Sequence, residues 1–296
     1  MISILIPVLN DTDNLFKTLN SIEKSTIGEV ETIIIDSSEI PILFPKKYKN
    51  VNIIRQKENI GPAQSRHLAA KQSKYDILFM ADSHTFFPIG WDKILINSFK
   101  DNKNQISAFP VTLSKTWDEK YFKYFPTYFG SDIYIKDAFS NDNFFDSHIR
   151  YEYVNNINAI KLAAYGINKE YFFSLRGFSD IRQWGSDELC LTIKVLCSGG
   201  KINLLNDKKF IHVNNKNSFT RNLAYIYYNK LRIARTFMDE ASYQYLLNVV
   251  PNNQFTLKAR EFITQDKDEI SEYKNFYKSI FKKDFKQLRQ EFNITE

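Results

Sequence analysis

Residues Ile77-Leu78-Phe79-Met80-Ala81-Asp82-Ser83-His84 decide how this chain is read, because an apolar run stops abruptly at a carboxylate and an imidazole one residue apart. A short apolar run bounded by polar residues reads as a buried strand. Such a strand delivers Asp82 and His84 together to the C-terminal edge of a sheet, where open α/β sheets bind ligands. A carboxylate beside a neutral imidazole suits a divalent ion that bridges a diphosphate, manganese first and magnesium second. A lone Asp-x-His is equally at home as a polar strand end capping the next loop, so the neighbouring segments have to decide.

Those segments alternate. Strand-like Ile2 to Val8 is followed by helix-like Asp13 to Ser25, strands Glu31 to Asp36 and Val51 to Arg55, a helix Ala63 to Lys71, and then the strand Ile77 to Ala81. Short strands separated by amphipathic stretches predict βαβ units on a mostly parallel sheet, an α/β fold. Three successive strand ends then carry Asn10 and Asp11, Asp36-Ser37-Ser38, and Asp82 with His84 along one sheet edge.

Farther on, the spacing predicts a helix from Trp91 to Asn102 and a strand from Ile106 to Leu113. Trp117 to Tyr153 is rich in aromatics and aspartates without a clear period, and is expected to form irregular loops beside the site, where an acceptor would sit. Periodicity returns at Tyr171 to Leu175. Ser186 is expected to cap a helix running to about Ser198, with Asp187 and Glu188 in its first turn and Gly199-Gly200 closing it. The helix dipole would keep the Glu188 pKa low. A strand pair, Lys201 to Leu205 and Lys209 to Val213, brings in His212.

Beyond Asn217 the pattern is helical, with Tyr225, Tyr228, Leu231 and Ala234 on one face and a Lys/Arg-rich face opposite. Two to four helices are predicted, their basic face solvated or in peripheral contact with phosphate or lipid headgroups. Cys190 and Cys197 lie two helical turns apart, about 10 Å, too far for a disulfide, and read as packing residues.

Composition narrows the class without choosing a function. A chain of 296 residues, 43% apolar and 15% aromatic, buries a large core and accommodates one α/β domain with a smaller appendage. No apolar run approaches the roughly 20 residues that span a bilayer, and no basic leader precedes Ile2, so a cytoplasmic location is expected. The net charge of +6 favours phosphate-bearing partners only weakly.

Read together, these segments resemble the GT-A glycosyltransferases, in particular the large family-2 group and the polypeptide N-acetylgalactosaminyltransferases. Ile2-Ser3-Ile4-Leu5-Ile6-Pro7-Val8-Leu9-Asn10 is similar to their opening strand, Ile33-Ile34-Ile35-Asp36-Ser37-Ser38 to the strand that ends at the uracil, and Asn59-Ile60-Gly61-Pro62-Ala63-Gln64-Ser65-Arg66-His67 to their Asn-x-Gly…Ala-Arg-Asn segment. Asp82-Ser83-His84 has the form the peptide transferases use in place of Asp-x-Asp. Gly166 to Phe172, Gly177-Phe178-Ser179-Asp180, Trp184-Gly185-Ser186-Asp187-Glu188, Gly199-Gly200 and Phe210-Ile211-His212-Val213 follow in the family's order.

The resemblance implies a Rossmann-like GT-A domain over residues 1–215, with a nucleotide half to about 104 and an acceptor half from 105, followed by a helical extension over 216–296. It implies that Asp36 accepts the uracil N3–H, that Pro7, Val8 and Asn10 border the base, and that Asn59, Gly61, Arg66, Asp82, Ser83 and Ala163, with Ala164 beside it, lie along the nucleotide-sugar. It implies Asp82, His84 and His212 as metal ligands; Trp184 reads as a core residue or, from its place just before the acidic pair, as a platform for the sugar. His67 and His148 receive no role. The retaining peptide transferases place Glu-Asn after Trp-Gly-x, whereas this chain has Asp187-Glu188, closer to the Glu-Asp pair of inverting enzymes. Asp187 is accordingly expected to position acceptor or sugar and Glu188 to act as base, with the stereochemistry open.

The expected activity is metal-dependent transfer from a UDP-sugar to a glycan, a lipid-linked glycan or a peptide side chain. A modified nucleic-acid base is an alternative acceptor that the positive charge permits. From other classes, a non-catalytic sugar-nucleotide-binding protein and a nucleotidyltransferase remain, although Leu9-Asn10-Asp11-Thr12 is not the Gly-rich basic loop the latter usually carries.

Overall fold

The computed structural model describes residues 1–45, 48, 50–129, 131–134, 145–149, 151, 157–213 and 222–294. Its N-terminal part alternates as the periodicity predicts: β1 (Ile2–Val8), α1 (Thr12–Ser25), β2 (Val30–Asp36), β3 (Val51–Arg55), α2 (Gly61–Gln72) and β4 (Ile77–Met80). Ile2, Ile4, Leu5, Ile6, Leu78, Phe79 and Met80 are fully buried, because a parallel sheet is covered on both faces. Helix α1 turns Leu15, Leu19 and Ile22, at helical spacing, onto the sheet. Helix α2 opens at Gly61-Pro62, a first turn where the missing proline N–H has no helical partner to lose.

The next elements are β5 (Thr85–Phe86), α3 (Trp91–Ser98), β6 (Gln105–Ala108) and β7 (Val111–Ser114). Two expectations are corrected here. Helix α3 stops at Ser98, short of Asn102, whose side chain accepts from the Asn104 N–H at 2.9 Å and stabilises a turn instead. The strand predicted from Ile106 to Leu113 is two strands in two different sheets, parted at Phe109-Pro110, where proline cannot donate to a ladder.

The aromatic middle region is less irregular than its composition suggests. Besides a 3-10 helix (Glu119–Tyr124) it forms β8 (Thr127–Tyr128), β9 (Ser131–Tyr134) and β10 (Asp146–Ile149), while residues 130, 135–144, 150 and 152–156 lie outside the described set. Then follow β11 (Tyr165–Asn168), α4 (Lys169–Ser174), α5 (Asp187–Cys197), β12 (Lys201–Leu204) and β13 (Phe210–Val213). The central sheet runs β12-β6-β11-β4-β1-β2-β3, parallel except where β11 meets β6 and β4. A second sheet runs β5-β13-β7-β8. The predicted strand pair therefore does not form: β12 extends the central sheet beside β6, and β13 inserts between β5 and β7.

The C-terminal part contains α6 (Leu223–Phe237), α7 (Glu240–Val249), α8 (Gln254–Gln265), α9 (Lys267–Ile280) and α10 (Phe285–Phe292), one helix more than the upper expectation. Tyr227, Tyr228 and Leu231 of α6 share one apolar core with Leu189, Cys190 and Ile193 of α5. The basic face predicted for α6 is corrected as well. Lys230 and Arg232 are each only 2% exposed, and they pair with Asp146 at 3.1 Å and Glu269 at 3.0 Å because α6 is sandwiched between other elements. Both cysteines are buried free thiols. Among the described residues no helix is long and apolar enough to cross a membrane.

Candidate active site

Strand β4 ends at Met80, and Asp82, Ser83 and His84 make the turn into β5. The antiparallel register of β13 on β5 sets His212 opposite Thr85, and the Val213 N–H donates to the His84 carbonyl at 2.9 Å. Two sheets thereby meet at a point. One ligand atom each from Asp82, His84 and His212 lies within 4.8 Å of the others, with the two imidazole Nε2 atoms 3.1 Å apart and His212 Nε2 3.3 Å from Asp82 Oδ2. His84 Nδ1 is 2.8 Å from Asp11 Oδ2, so its proton is on that side and the Nε2 lone pair faces the cluster. Ser83 Oγ donates to the same carboxylate oxygen at 2.6 Å.

This donor set fits a divalent cation: one carboxylate oxygen and two imidazole nitrogens converge, and Asp11 orients a ligand ring in the manner of carboxylate–histidine–metal sites. Burial lowers the pKa of His84, but the hydrogen bond to Asp11 and the charge of Asp82 outweigh it, and the net shift is upward. For Asp82 burial acts upward and is overcome by Arg66 and His212, which hold the carboxyl well below the usual range.

Arg66, only 3% exposed, donates from Nη2 to Asp82 Oδ1 at 2.5 Å and from Nη1 to Asp187 Oδ2 at 2.8 Å. Burial disfavours its charge, yet those two carboxylates keep the guanidinium firmly protonated. Asp187 is thus committed to Arg66. Glu188 is different: burial and the adjacent Asp187 charge push its pKa well above the carboxylate range, against the partial opposition of Arg66. The low Glu188 pKa expected from the helix dipole is therefore corrected, because desolvation and a like charge outweigh a terminal dipole. Fully buried Tyr165 sits in the same electrostatic neighbourhood, and its hydroxyl has no hydrogen-bond partner among the described residues.

A cavity of about 500 Å³ joins these groups. Of the residues singled out from the sequence, Pro7, Val8, Asn59, Gly61, Arg66, Asp82, Ser83, His84, Trp184, Asp187, Glu188 and His212 line it. Asn10, Asp36 and Ala163 do not. Asp36 is 2% exposed, and its carboxylate accepts from the Ser38 N–H at 2.9 Å and the Ile42 N–H at 3.1 Å and pairs with Arg55 at 3.2 Å. Asn10 fastens the end of β1 to the next loop, accepting from the Glu39 N–H at 2.9 Å, while Ala163 is buried beside the lining residues Lys161 and Leu162. His67 is structural: it accepts from the Phe178 N–H at 3.2 Å, and burial lowers its pKa to about 4. The His148 side chain lies outside the described residues.

Asn229, Lys161 and Lys230 carry no sequence signal strong enough to single them out, while Gly61 and Ser186, singled out above, take further roles from the fold. Gly61 must be glycine because its φ is +80° and a Cβ would come within 2.1 Å of the Gln183 carbonyl oxygen, so two cleft loops touch backbone to backbone. Asn229, fully buried on α6, donates to the carbonyls of Arg182 at 2.7 Å and Gly185 at 2.9 Å and accepts from the Arg182 N–H at 3.0 Å. It pins the loop that carries Trp184 into the cleft. Ser186 occupies the N-cap of α5 but in left-handed conformation (φ 65°), with no capping hydrogen bond, so the expected side-chain cap is corrected. Lys161 and Lys230 share Asp146 on the cavity wall, at 3.4 and 3.1 Å.

The family profile described as "Glycosyl transferase family 2" matches residues 3–151, about half of the chain. The chain belongs to that family. "Polypeptide N-acetylgalactosaminyltransferase 5" of Rattus norvegicus is 22% identical over 213 residues, covering 67% of this chain and 22% of that protein. An "Uncharacterized glycosyltransferase" of Haemophilus influenzae is 34% identical over 98 residues, 32% of this chain and 33% of that one. Among solved structures, GalNAc-T7 with UDP, GalNAc and Mn2+ superposes with a TM-score of 0.72 at 17% identity, covering 99% of this chain and 56% of that chain. S. aureus TarS 1-349 in complex with UDP-GlcNAc gives 0.50 at 13% identity, covering 83% of this chain and 70% of that chain. This family-2 chain has the GT-A fold with C-terminal helices, and it spans well under half the length of these curated relatives.

Proposed function

We propose that this chain transfers a sugar from a UDP-sugar to a nucleophilic acceptor with the help of a divalent ion, manganese being the best match. The observation that carries the proposal is the meeting, in one cavity, of the Asp82–His84–His212 cluster with a Glu188 whose pKa is raised. A similar chain crystallised with UDP, GalNAc and Mn2+ supports the same reading. Asp82, His84 and His212 would hold the ion, which supplies Lewis-acid stabilisation of the charge that develops on the departing diphosphate.

The residues of the chain do the rest. Arg66 keeps Asp82 ionised through its Nη2 contact. Asp187, held by Arg66, fixes the first turn of α5. Glu188 accepts the proton from the acceptor as its oxygen or sulfur attacks the anomeric carbon and the bond from that carbon to UDP breaks. Trp184 offers an aromatic face to the sugar. The acceptor is a glycan, a lipid-linked glycan or a peptide side chain, and the anomeric configuration of the product reads out the stereochemistry.

The test is incubation with a panel of UDP-sugars, with manganese or with chelator, followed by measurement of UDP. Metal-dependent release supports the proposal. Donor binding without release points to a sugar-nucleotide-binding protein, and pyrophosphate formed from UTP and a sugar phosphate to a nucleotidyltransferase; either outcome refutes it.

A further inference from the structure

Away from the cleft, α9, α10 and the junction of α6 with α7 enclose a second cavity of about 520 Å³, within the usual size range of ligand sites. Its floor is aromatic. Phe237 lies 5.1 Å from Tyr277 and 5.7 Å from Phe281, centroid to centroid, and Tyr277 stacks on Phe281 at 5.2 Å. Its rim is cationic, with Lys274, Lys278, Lys282 and Lys286 among the lining residues.

Three carboxylates, Asp239, Glu240 and Asp284, also line the cavity, each held by a local partner. Asp239 accepts from the Ser242 N–H and hydroxyl, both at 2.9 Å, and Glu240 pairs with Arg235. Asp284 accepts from the Gln287 N–H at 2.8 Å in a capping box, and Glu291 holds Lys283. Among the described residues no carboxylate pairs with the four rim lysines. Lys274 is half-buried and leans on the Arg235 and Met238 carbonyls at 3.3 and 3.4 Å. Burial, then the charges of Arg235 and Lys278, pull its pKa down against the smaller opposition of Glu240 and Asp239.

Five lysines against three carboxylates leave the lining net positive around an aromatic floor, which complements an anion that carries an apolar part. Phe237 and Tyr277 are buried beneath the floor and Phe281 is half-buried, so Phe281 is the apolar surface that a bare ion would leave to water. We propose that this cavity binds the headgroup phosphate of an anionic lipid, with the upper acyl chain against Phe281, and so docks the protein on a membrane surface.

Vesicle flotation tests the proposal. The protein should float with phosphatidylglycerol-containing vesicles and not with phosphatidylcholine alone. Lys278→Glu with Lys286→Glu, both at exposed positions, should weaken partitioning by about tenfold or more. The control pair Lys93→Glu with Lys100→Glu, equally exposed and equal in charge change, should alter it by about twofold at most. Dihexanoyl phosphatidylglycerol should raise the melting temperature where inorganic phosphate at the same concentration does not. Equal loss in both variant pairs, no preference for phosphatidylglycerol, or an equal thermal shift with inorganic phosphate would each overturn the lipid assignment, the last by identifying a free-anion site. UDP release from UDP-sugar is unaffected by the Lys278/Lys286 pair, which keeps this result separate from the transferase reading.

Discussion

At the residue scale, the Asp82–His84–His212 cluster is oriented by a carboxylate outside it. Asp11, 73 positions before His84, fixes the tautomer of that ring. Asp82→Asn and His212→Ala are expected to abolish manganese binding, and Asp11→Asn to weaken it by about 10- to 100-fold, measured by titration calorimetry. Unchanged affinity in Asp11→Asn would remove its orienting role. Protons compete with the ion for His84, and because its pKa is raised, affinity should begin to fall above the ordinary imidazole value of about 6.5 as the pH is lowered. Glu188 makes a second prediction. A base works deprotonated, and a raised pKa means that kcat/KM climbs with pH along a limb displaced above the ordinary carboxylate value of about 4.3. Glu188→Gln should retain donor binding and lose transfer by about 100- to 10,000-fold. A smaller than about tenfold loss, or a limb at the ordinary value, would return Glu188 to a first-turn carboxylate.

At the element scale, the loop before α5 is held from two sides, by the Gly61 backbone and by Asn229. Asn229→Ala leaves buried backbone groups unsatisfied and should cost about 1–3 kcal/mol in denaturant unfolding. It should also lower sugar transfer with manganese affinity intact, since no metal ligand sits on that loop; a loss of metal affinity would mean that the effect is global. What the sequence could and could not show sorts along the same line. The first four strands were legible as short apolar runs and α1 by its single apolar face, whereas α2, whose buried residues include Ser65, Arg66 and His67, was legible only from its place in the βαβ alternation. The convergence of Asp82, His84 and His212 was legible because Asp82-Ser83-His84 and His212 sit in a recognisable order. The sheet change at Pro110 was not, because an apolar run looks the same whichever sheet receives it. Nor was the state of Glu188, since local reasoning sees the dipole and not the burial around it. Asn229 escaped for a related reason: an asparagine on a helix announces nothing until the carbonyls it meets are known.

At the scale of the whole molecule, the C-terminal helices are part of the catalytic body, not an ornament to it. Tyr227, Tyr228 and Leu231 pack into the same core as α5, and Asn222, Ile226 and Lys230 line the cavity. Deleting residues 222–296 should therefore abolish the cooperative thermal transition seen by circular dichroism, whereas an independent extension would leave it in place. The insertion of β13 between β5 and β7 carries a last consequence, for biosynthesis. His212 reaches its place 128 residues after His84, so a nascent chain emerging from the ribosome holds two thirds of a cation trap through the synthesis of its whole middle. On the proposed function, ion capture has to wait for that late strand and would staple early-made to late-made polypeptide, so the loaded protein should resist unfolding more than the bare one by an amount set by free manganese.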